Sequence, residues 1–92
     1  MSLADPITKA LWTSRNRYAP RGMPSPMWIA CHTSESRSRA VNLRNYCENN
    51  SVSYHRIVDD VDIVGMVRDS DAPWAAVGAN KYAYHVCWSS SF

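Results

Sequence analysis

The side chains best suited to chemistry in this sequence are three histidines and three cysteines. His32 ends an apolar run, WIACH, that is typical of a buried strand. A histidine at the carboxyl end of a strand lies at the rim of a sheet, where ligands and metals gather in α/β folds, and its imidazole is a good ligand for Zn²⁺. The simpler alternative is a strand-end histidine that is capped by Thr33 or Ser34. His32 is therefore a candidate metal ligand.

His85 and Cys87 offer a second, weaker combination. They lie two residues apart and so share one face of a strand, and together with His32 they could form a Cys-His-His metal site. A buried free cysteine, however, usually behaves as a small apolar residue. His85 and Cys87 are therefore kept as alternative metal ligands.

Length and composition limit the functions that these residues could serve. The chain has 92 residues, of which 46% are hydrophobic and 20% are charged, as expected of one small globular domain. Its net charge of +2 and pI near 8.6 are too mild for a nucleic-acid-binding protein, which usually has a dense basic face. The odd number of cysteines and the lack of CxxC spacing argue against a disulfide framework and against a zinc ribbon.

The amino-terminal residues bear on where the protein is made. Asp5, Pro6 and Lys9 stand where a signal peptide would need an unbroken apolar core. No window of the sequence approaches the roughly 18 apolar residues of a membrane span. We therefore expect synthesis in the cytoplasm, with neither a membrane nor a nucleic acid as partner.

The sequence also predicts the elements that must position the candidate residues. Residues 1–26 are predicted to be an amino-terminal arm and linker, with 6–18 as a short helix or an extended arm and a proline-rich segment over 20–26. The apolar run 27–31 predicts a strand that is buried on both faces and central in its sheet.

An amphipathic helix is predicted over residues 38–48. Ser36 or Ser38 is its predicted amino-terminal cap, and Asn49 and Asn50 mark its end. Its apolar positions recur at i, i+3 and i+7 and are Ala40, Leu43 and Cys47.

Two further patterns complete the predicted sheet. The β-rich segments 53–58 and 62–67 are separated by an acidic turn and predict a hairpin, and the aromatic segment 82–88 predicts a last strand. The expected fold class is therefore α/β, with a mixed central β-sheet and flanking helices.

Four segments, in this order and spacing, resemble one family. WIACHTSES, AVNLRNYCENN, SVSYHRIVDD and VRDSDAPWAAVGANKYAYHVCW are similar to the zinc-dependent N-acetylmuramoyl-L-alanine amidases that are related to peptidoglycan recognition proteins. The similarity is strongest to the amidase domains of phage endolysins that attack mycobacterial-type walls. It covers residues 27–88, and 27–92 would be the amino-terminal part of such a domain.

The resemblance implies a function for His32 and Tyr54. His32 stands where the family has its first zinc ligand. Tyr54 would be a catalytic residue that donates a hydrogen bond to the developing oxyanion as the amide between N-acetylmuramic acid and L-alanine is cut. His55 would face away from Tyr54 and would be structural. The alternative for Tyr54 is a half-buried strand aromatic.

The resemblance also implies substrate contacts by Trp74 and Asn80. Trp74 would lie against the muramyl peptide, and Asn80 would hydrogen-bond to it at the end of a tight turn formed with Gly78 and Ala79. The alternative is that Trp74 simply covers one end of the core.

The sequence departs from the family pattern in its last part. A catalytic zinc site keeps three protein ligands, and the family takes its second and third from beyond the segment 82–88. His85 and Cys87 replace small or acidic residues of the family. The zinc site is therefore expected to be incomplete within these 92 residues, which alone should be inactive and should need another chain or segment to complete the fold.

Three hypotheses of function remain. The first is an endolysin amidase that acts on peptidoglycan at the cell wall after release from the host cytoplasm. The second is a non-catalytic peptidoglycan-binding or virion-associated module of the same fold. The third is an unrelated small α/β interaction domain.

Overall fold

The structure is a computed structural model that describes residues 7–18, 28–34, 38–76, 80 and 82–89. The proline-rich segment 20–26 and the residues Gly78 and Ala79 lie outside these ranges. The elements in chain order are β1 (Lys9–Ala10), β2 (Arg17–Tyr18), β3 (Trp28–Thr33), α1 (Ala40–Asn49), β4 (Arg56–Val58), β5 (Ile63–Gly65), β6 (Ala72–Pro73) and β7 (Ala83–Trp88).

The described strands form a mixed five-stranded sheet in the order β1-β5-β4-β7-β3. Only the predicted hairpin, β4 with β5, pairs antiparallel there, whereas β1 with β5, β4 with β7 and β7 with β3 are parallel. A separate two-stranded antiparallel ribbon joins β2 to β6. The α/β class, the hairpin and the last strand are thus confirmed.

The position predicted for the strand at 27–31 is wrong. Among the described strands β3 lies at one edge of the sheet, because β7 returns between it and the hairpin and pairs with all six of its residues. Trp28 and Ile29 are 57% and 72% exposed, so the strand is not buried on both faces. An apolar run reports the hydrophobicity of a strand, but its place in the sheet depends on long-range pairing that the run does not encode.

Helix α1 forms where the apolar spacing predicts it and presents the predicted buried face. Its amino-terminal cap differs from the prediction: Arg39 is the cap residue and its side chain makes no capping hydrogen bond, while Ser36 lies outside the described residues. The buried carboxylate of Asp59, on the hairpin, instead accepts the Ala40 N–H at 2.8 Å. The helix ends at Asn49, as predicted, and Ser51 follows in the left-handed region with φ of 58°.

The core lies between α1 and one face of the sheet. Because buried apolar area is the main favourable term in folding, this layer holds the helix on β4 and β5. Its buried members are Ala40, Leu43, Cys47, Ile57, Val64, Met66, Val67 and Cys87.

Residues 7–18 are extended and contain two short strands, which decides between the two predicted forms of this segment. They contact the carboxyl end of α1: the Asn16 amide lies 3.1 Å from the Cys47 carbonyl oxygen, and the Ser14 hydroxyl donates to Glu48 at 2.6 Å. The arm therefore satisfies groups that the end of a helix leaves open. The division of the chain at residue 26 remains a prediction.

Within the described ranges, no helix combines the length and the apolar character that a membrane span requires.

Candidate functional site

The site begins with two parallel strands whose register brings their polar residues together. In the pairing of β3 with β7, His32 lies opposite Cys87 and Ala30 lies opposite His85. Paired residues share a face of the sheet, so His32, His85 and Cys87 all point to the side on which α1 packs. The carboxyl end of β3 thus carries a polar group at the margin of the core.

The two histidines are in direct contact. His32 Nε2 and His85 Nδ1 are 3.0 Å apart, and the two rings are stacked with centroids 5.2 Å apart. Partial burial lowers the pKa of His32, which favours the neutral imidazole. A neutral ring is the form that binds a metal ion.

Tyr54 also lies next to the His32 ring. The centroids of the two rings are 5.0 Å apart, and Tyr54 is a partly buried residue that packs against the core. Its hydroxyl lies near the buried thiol of Cys87. Burial is the main cause that raises the pKa of the Tyr54 phenol well above its usual range, and the neighbouring Cys87 and Cys47 raise it further. Tyr54 therefore keeps its proton near pH 7 and can donate a hydrogen bond.

The thiols near this group are also protonated. Burial raises the pKa of Cys87, although the hydrogen bond with Tyr54 acts in the opposite direction. Burial and the nearby Cys87 raise the pKa of Cys47 to about 11. Since the thiolate is the nucleophile and the metal ligand, neither cysteine is activated for chemistry in this environment.

His55 holds the strand that carries His85. Its backbone N–H donates to the His85 carbonyl oxygen at 3.0 Å, and its Nδ1 accepts the His85 N–H at 3.0 Å. The ring must therefore carry its proton on Nε2, which donates to the Asp71 carbonyl oxygen at 2.9 Å. These contacts agree with the predicted structural role of His55, whose ring stacks on that of Tyr84.

Of the predicted substrate residues, Trp74 is linked to the segment that carries Tyr54 through its backbone. The Trp74 carbonyl oxygen accepts the Ser53 N–H at 3.1 Å, and the Trp74 N–H donates to the Ser53 hydroxyl at 2.9 Å. Ser53 precedes Tyr54, so the loop that carries Trp74 is attached beside the site. Asn80 has a structural contact that the sequence analysis missed: its Oδ1 accepts the N–H groups of Ala75 and Ala76 at 2.9 and 2.7 Å.

The donor set meets the requirements of zinc only in part. Two imidazole nitrogens converge, which suits a borderline-soft transition metal. Among the residues that the structure describes, however, no group of three or more His, Cys, Asp or Glu side chains is placed to hold a metal ion. The alternative Cys-His-His site of His32, His85 and Cys87, all of which are described, is therefore not assembled.

A scan against protein-family models and a search of the curated proteins found no match to this chain. A search of solved structures found three similar chains. The hydrolase AmiA of Staphylococcus aureus, solved with its ligand, is 26% identical with a TM-score of 0.75 over 98% of this chain and 47% of AmiA. A point mutant of PlyL is 22% identical with a TM-score of 0.72 over 89% of this chain and 57% of that one.

A second structure of PlyL is 28% identical, with a TM-score of 0.60 over 68% of this chain and 43% of that one. The chain spans about half the length of the solved structures that it matches. PlyL is a phage endolysin and AmiA an amidase. The topology and these likenesses together give the chain an amidase-like, peptidoglycan-hydrolase-like α/β fold.

Proposed function

We propose that the chain is the amino-terminal part of a zinc-dependent N-acetylmuramoyl-L-alanine amidase that acts as a phage endolysin. It would be made in the host cytoplasm and would cut peptidoglycan at the cell wall after release. The observation that carries the proposal is the contact of His32 with Tyr54 at the end of β3, on a fold shared with AmiA and PlyL.

His32 is the proposed zinc ligand. Its ring lies at the carboxyl end of a strand, and its lowered pKa favours the neutral form. Bound zinc would supply Lewis acidity at the scissile carbonyl and would activate water. The remaining protein ligands would come from outside the described residues.

Tyr54 is the proposed donor to the oxyanion. Its high pKa keeps the proton on the phenol, as a hydrogen-bond donor requires. The nearby Cys87 thiol is a weak hydrogen-bonding group, so it would compete little with a substrate oxygen for this proton.

Trp74 and Asn80 are the proposed contacts to the muramyl peptide. The backbone bonds of Trp74 to Ser53 would hold its loop beside Tyr54. Because the Asn80 oxygen is engaged by Ala75 and Ala76, Asn80 would meet a peptide through its amide NH₂ group while it fixes the turn.

The activity test uses the full-length protein, zinc and purified peptidoglycan, with new amino-terminal alanine as the readout. His32→Ala should abolish both zinc binding and cleavage. Tyr54→Phe should keep zinc but slow cleavage by about 10²–10³-fold, the usual loss for one oxyanion donor. Tyr82→Phe is the matched control, because Tyr82 precedes β7 at the end of the sheet opposite to Cys87 and packs on Trp28.

An unchanged rate in Tyr54→Phe would remove Tyr54 from the mechanism.

A second candidate function is a non-catalytic peptidoglycan-binding module of the same fold, which the lack of a three-ligand group in the described residues favours. This module would be supported if the His32→Ala variant still bound the cell wall and the wild type released no alanine-bearing peptides.

A further inference from the structure

His85 lies in this site, but the proposed amidase reaction gives it no role. The resemblance that assigns a metal to His32 gives no part to His85, which stands where the family has a small residue. We propose that His32 Nε2 and His85 Nδ1 together form a two-imidazole site for a divalent transition metal, with its other coordination positions open. This inference concerns metal binding by the chain itself and does not depend on amidase activity.

The separation of the two nitrogens is the first support. Zn–N bonds of about 2.0–2.1 Å in a tetrahedral arrangement place two ligand nitrogens about 3.3–3.4 Å apart. His32 Nε2 and His85 Nδ1 are 3.0 Å apart, so a small rotation of either ring admits the ion. The ion would take the place of the hydrogen bond that now joins the rings.

The rigidity of the supporting elements is the second support. His32 and His85 belong to adjacent parallel strands that are paired over all six residues. The backbone of His85 is also bonded in both directions to His55, which is fully buried. Ligands on paired strands are held more closely than ligands on loops, and this reduces the entropy lost on binding.

The donor chemistry sets the class of ion. Two imidazoles favour Zn²⁺, Ni²⁺, Cu²⁺ and Co²⁺, whereas Mg²⁺ and Ca²⁺ require oxygen ligands. Cys87 is not a ligand in this proposal, because among the described residues it forms no three-ligand group with the two histidines. Two protein donors make a weaker site than the three or four of a resident zinc ion, so the bound metal should exchange with solution.

The direct test follows the ring nitrogens by NMR while Zn²⁺ is added to the purified 92-residue chain. Only three histidines are present, so each ring can be assigned. The ring signals of His32 and His85 should shift together and saturate, those of His55 should stay in place, and Mg²⁺ should shift none. Movement of His32 alone, of His55, or of no ring would overturn the proposal.

Variants provide an independent measurement by titration calorimetry. His85→Gln should weaken Zn²⁺ binding by about tenfold or more, because one of two donors is lost. Cys31→Ser, which removes the exposed thiol, and Cys87→Ser should each leave the affinity unchanged. The two-imidazole site would be contradicted if His85→Gln bound Zn²⁺ with the wild-type affinity. It would also be contradicted if Cys87→Ser lost as much affinity as is expected for His85→Gln. The NMR result on the wild-type chain stands even if His85→Gln folds poorly.

Discussion

At the residue scale, Asp59 shows how much one buried carboxylate can organise. It is 5% exposed and lies in the turn between β4 and β5. One of its oxygens accepts from Ala40 N–H and the Arg39 guanidinium, and the other accepts from the N–H groups of Val61 and Asp62. The same group therefore closes the hairpin and caps the helix.

Replacing Asp59 with Ala should lower the free energy of unfolding by about 2–3 kcal/mol, since a cap and charge-assisted hydrogen bonds are lost together. Urea unfolding at pH 7 measures the change. Asp60→Ala is the matched control: Asp60 is the exposed neighbour, and its replacement should stay within about 0.5 kcal/mol of the wild type. Equal effects of the two substitutions would show that Asp59 does not cap α1.

The same carboxylate predicts a pH dependence of stability. Burial raises the pKa of Asp59, but hydrogen bonds from Ala40, Asp62, Val61 and Arg39 outweigh it and hold the pKa well below the usual range. The folded state thus binds the proton more weakly than the unfolded state, so this contribution is complete above about pH 4 and is lost as the pH falls through the folded-state value. Asp59→Asn should flatten the acid side of the stability curve. An unchanged acid slope would exclude this origin.

Some of this residue-scale detail could be predicted from sequence and some could not. The position of His32 at a strand end follows from the apolar run before it. The contacts of Asp59 with α1 and of His55 with His85 cross 19 and 30 residues, and no local pattern encodes them. Their only sequence signal is the residue type, a carboxylate in a turn or a histidine in a β-rich segment.

At the element scale, local periodicity explains which elements were predicted correctly. Helix α1 has a 3.6-residue repeat, and the hairpin has two β-rich segments around an acidic turn, so both are specified by neighbouring residues. Strands β1, β2 and β6 have two residues each and show no period at all. The edge position of β3 arises because β7 pairs on both of its sides, with β3 and with β4.

The packing of Trp12 on Gly65 of β5 gives a prediction at this scale. A Cβ added at Gly65 would lie 2.5 Å from the Trp12 ring, which has the Arg56 and Arg68 guanidinium groups 5.1 and 5.0 Å from its centroid. The ring therefore has little room to move. Gly65→Ala should destabilise the protein by about 1–3 kcal/mol through overpacking.

The control for this prediction is a double-mutant cycle with Trp12→Leu, followed by chemical denaturation. Without the indole, Gly65→Ala should cost nothing or should stabilise by about 0.5–1 kcal/mol, because alanine is less costly than glycine inside a strand. Equal effects of Gly65→Ala in both backgrounds would mean that Trp12 does not pack on Gly65.

At the scale of the whole molecule, the edge of the sheet is the conspicuous feature. Strand β3 carries no charged side chain, and Trp28 and Ile29 are largely exposed. Edge strands usually carry charges or prolines that prevent pairing with other chains. We therefore expect the isolated chain to self-associate unless another segment or chain covers this edge.

Ile29→Lys should shift the isolated chain toward the monomer in sedimentation velocity, because a lysine on an edge strand opposes pairing. Val61→Lys is the matched control: it adds the same charge at an exposed position in the hairpin turn and should leave association unchanged. A wild-type chain that is monomeric and monodisperse at high concentration would contradict the expectation.

We propose above all that His32 and Tyr54, whose rings are in contact near the end of β3, recognise the bond between muramic acid and L-alanine. The most direct measurement is a ¹H–¹⁵N and side-chain NMR titration of the chain with N-acetylmuramoyl-L-alanyl-D-isoglutamine, with N-acetylglucosamine as the control ligand. We expect the muramyl peptide, and not the sugar, to shift the signals of His32, Tyr54 and Trp74. No shift at saturating concentration, or shifts confined to residues away from the end of β3, would contradict the account.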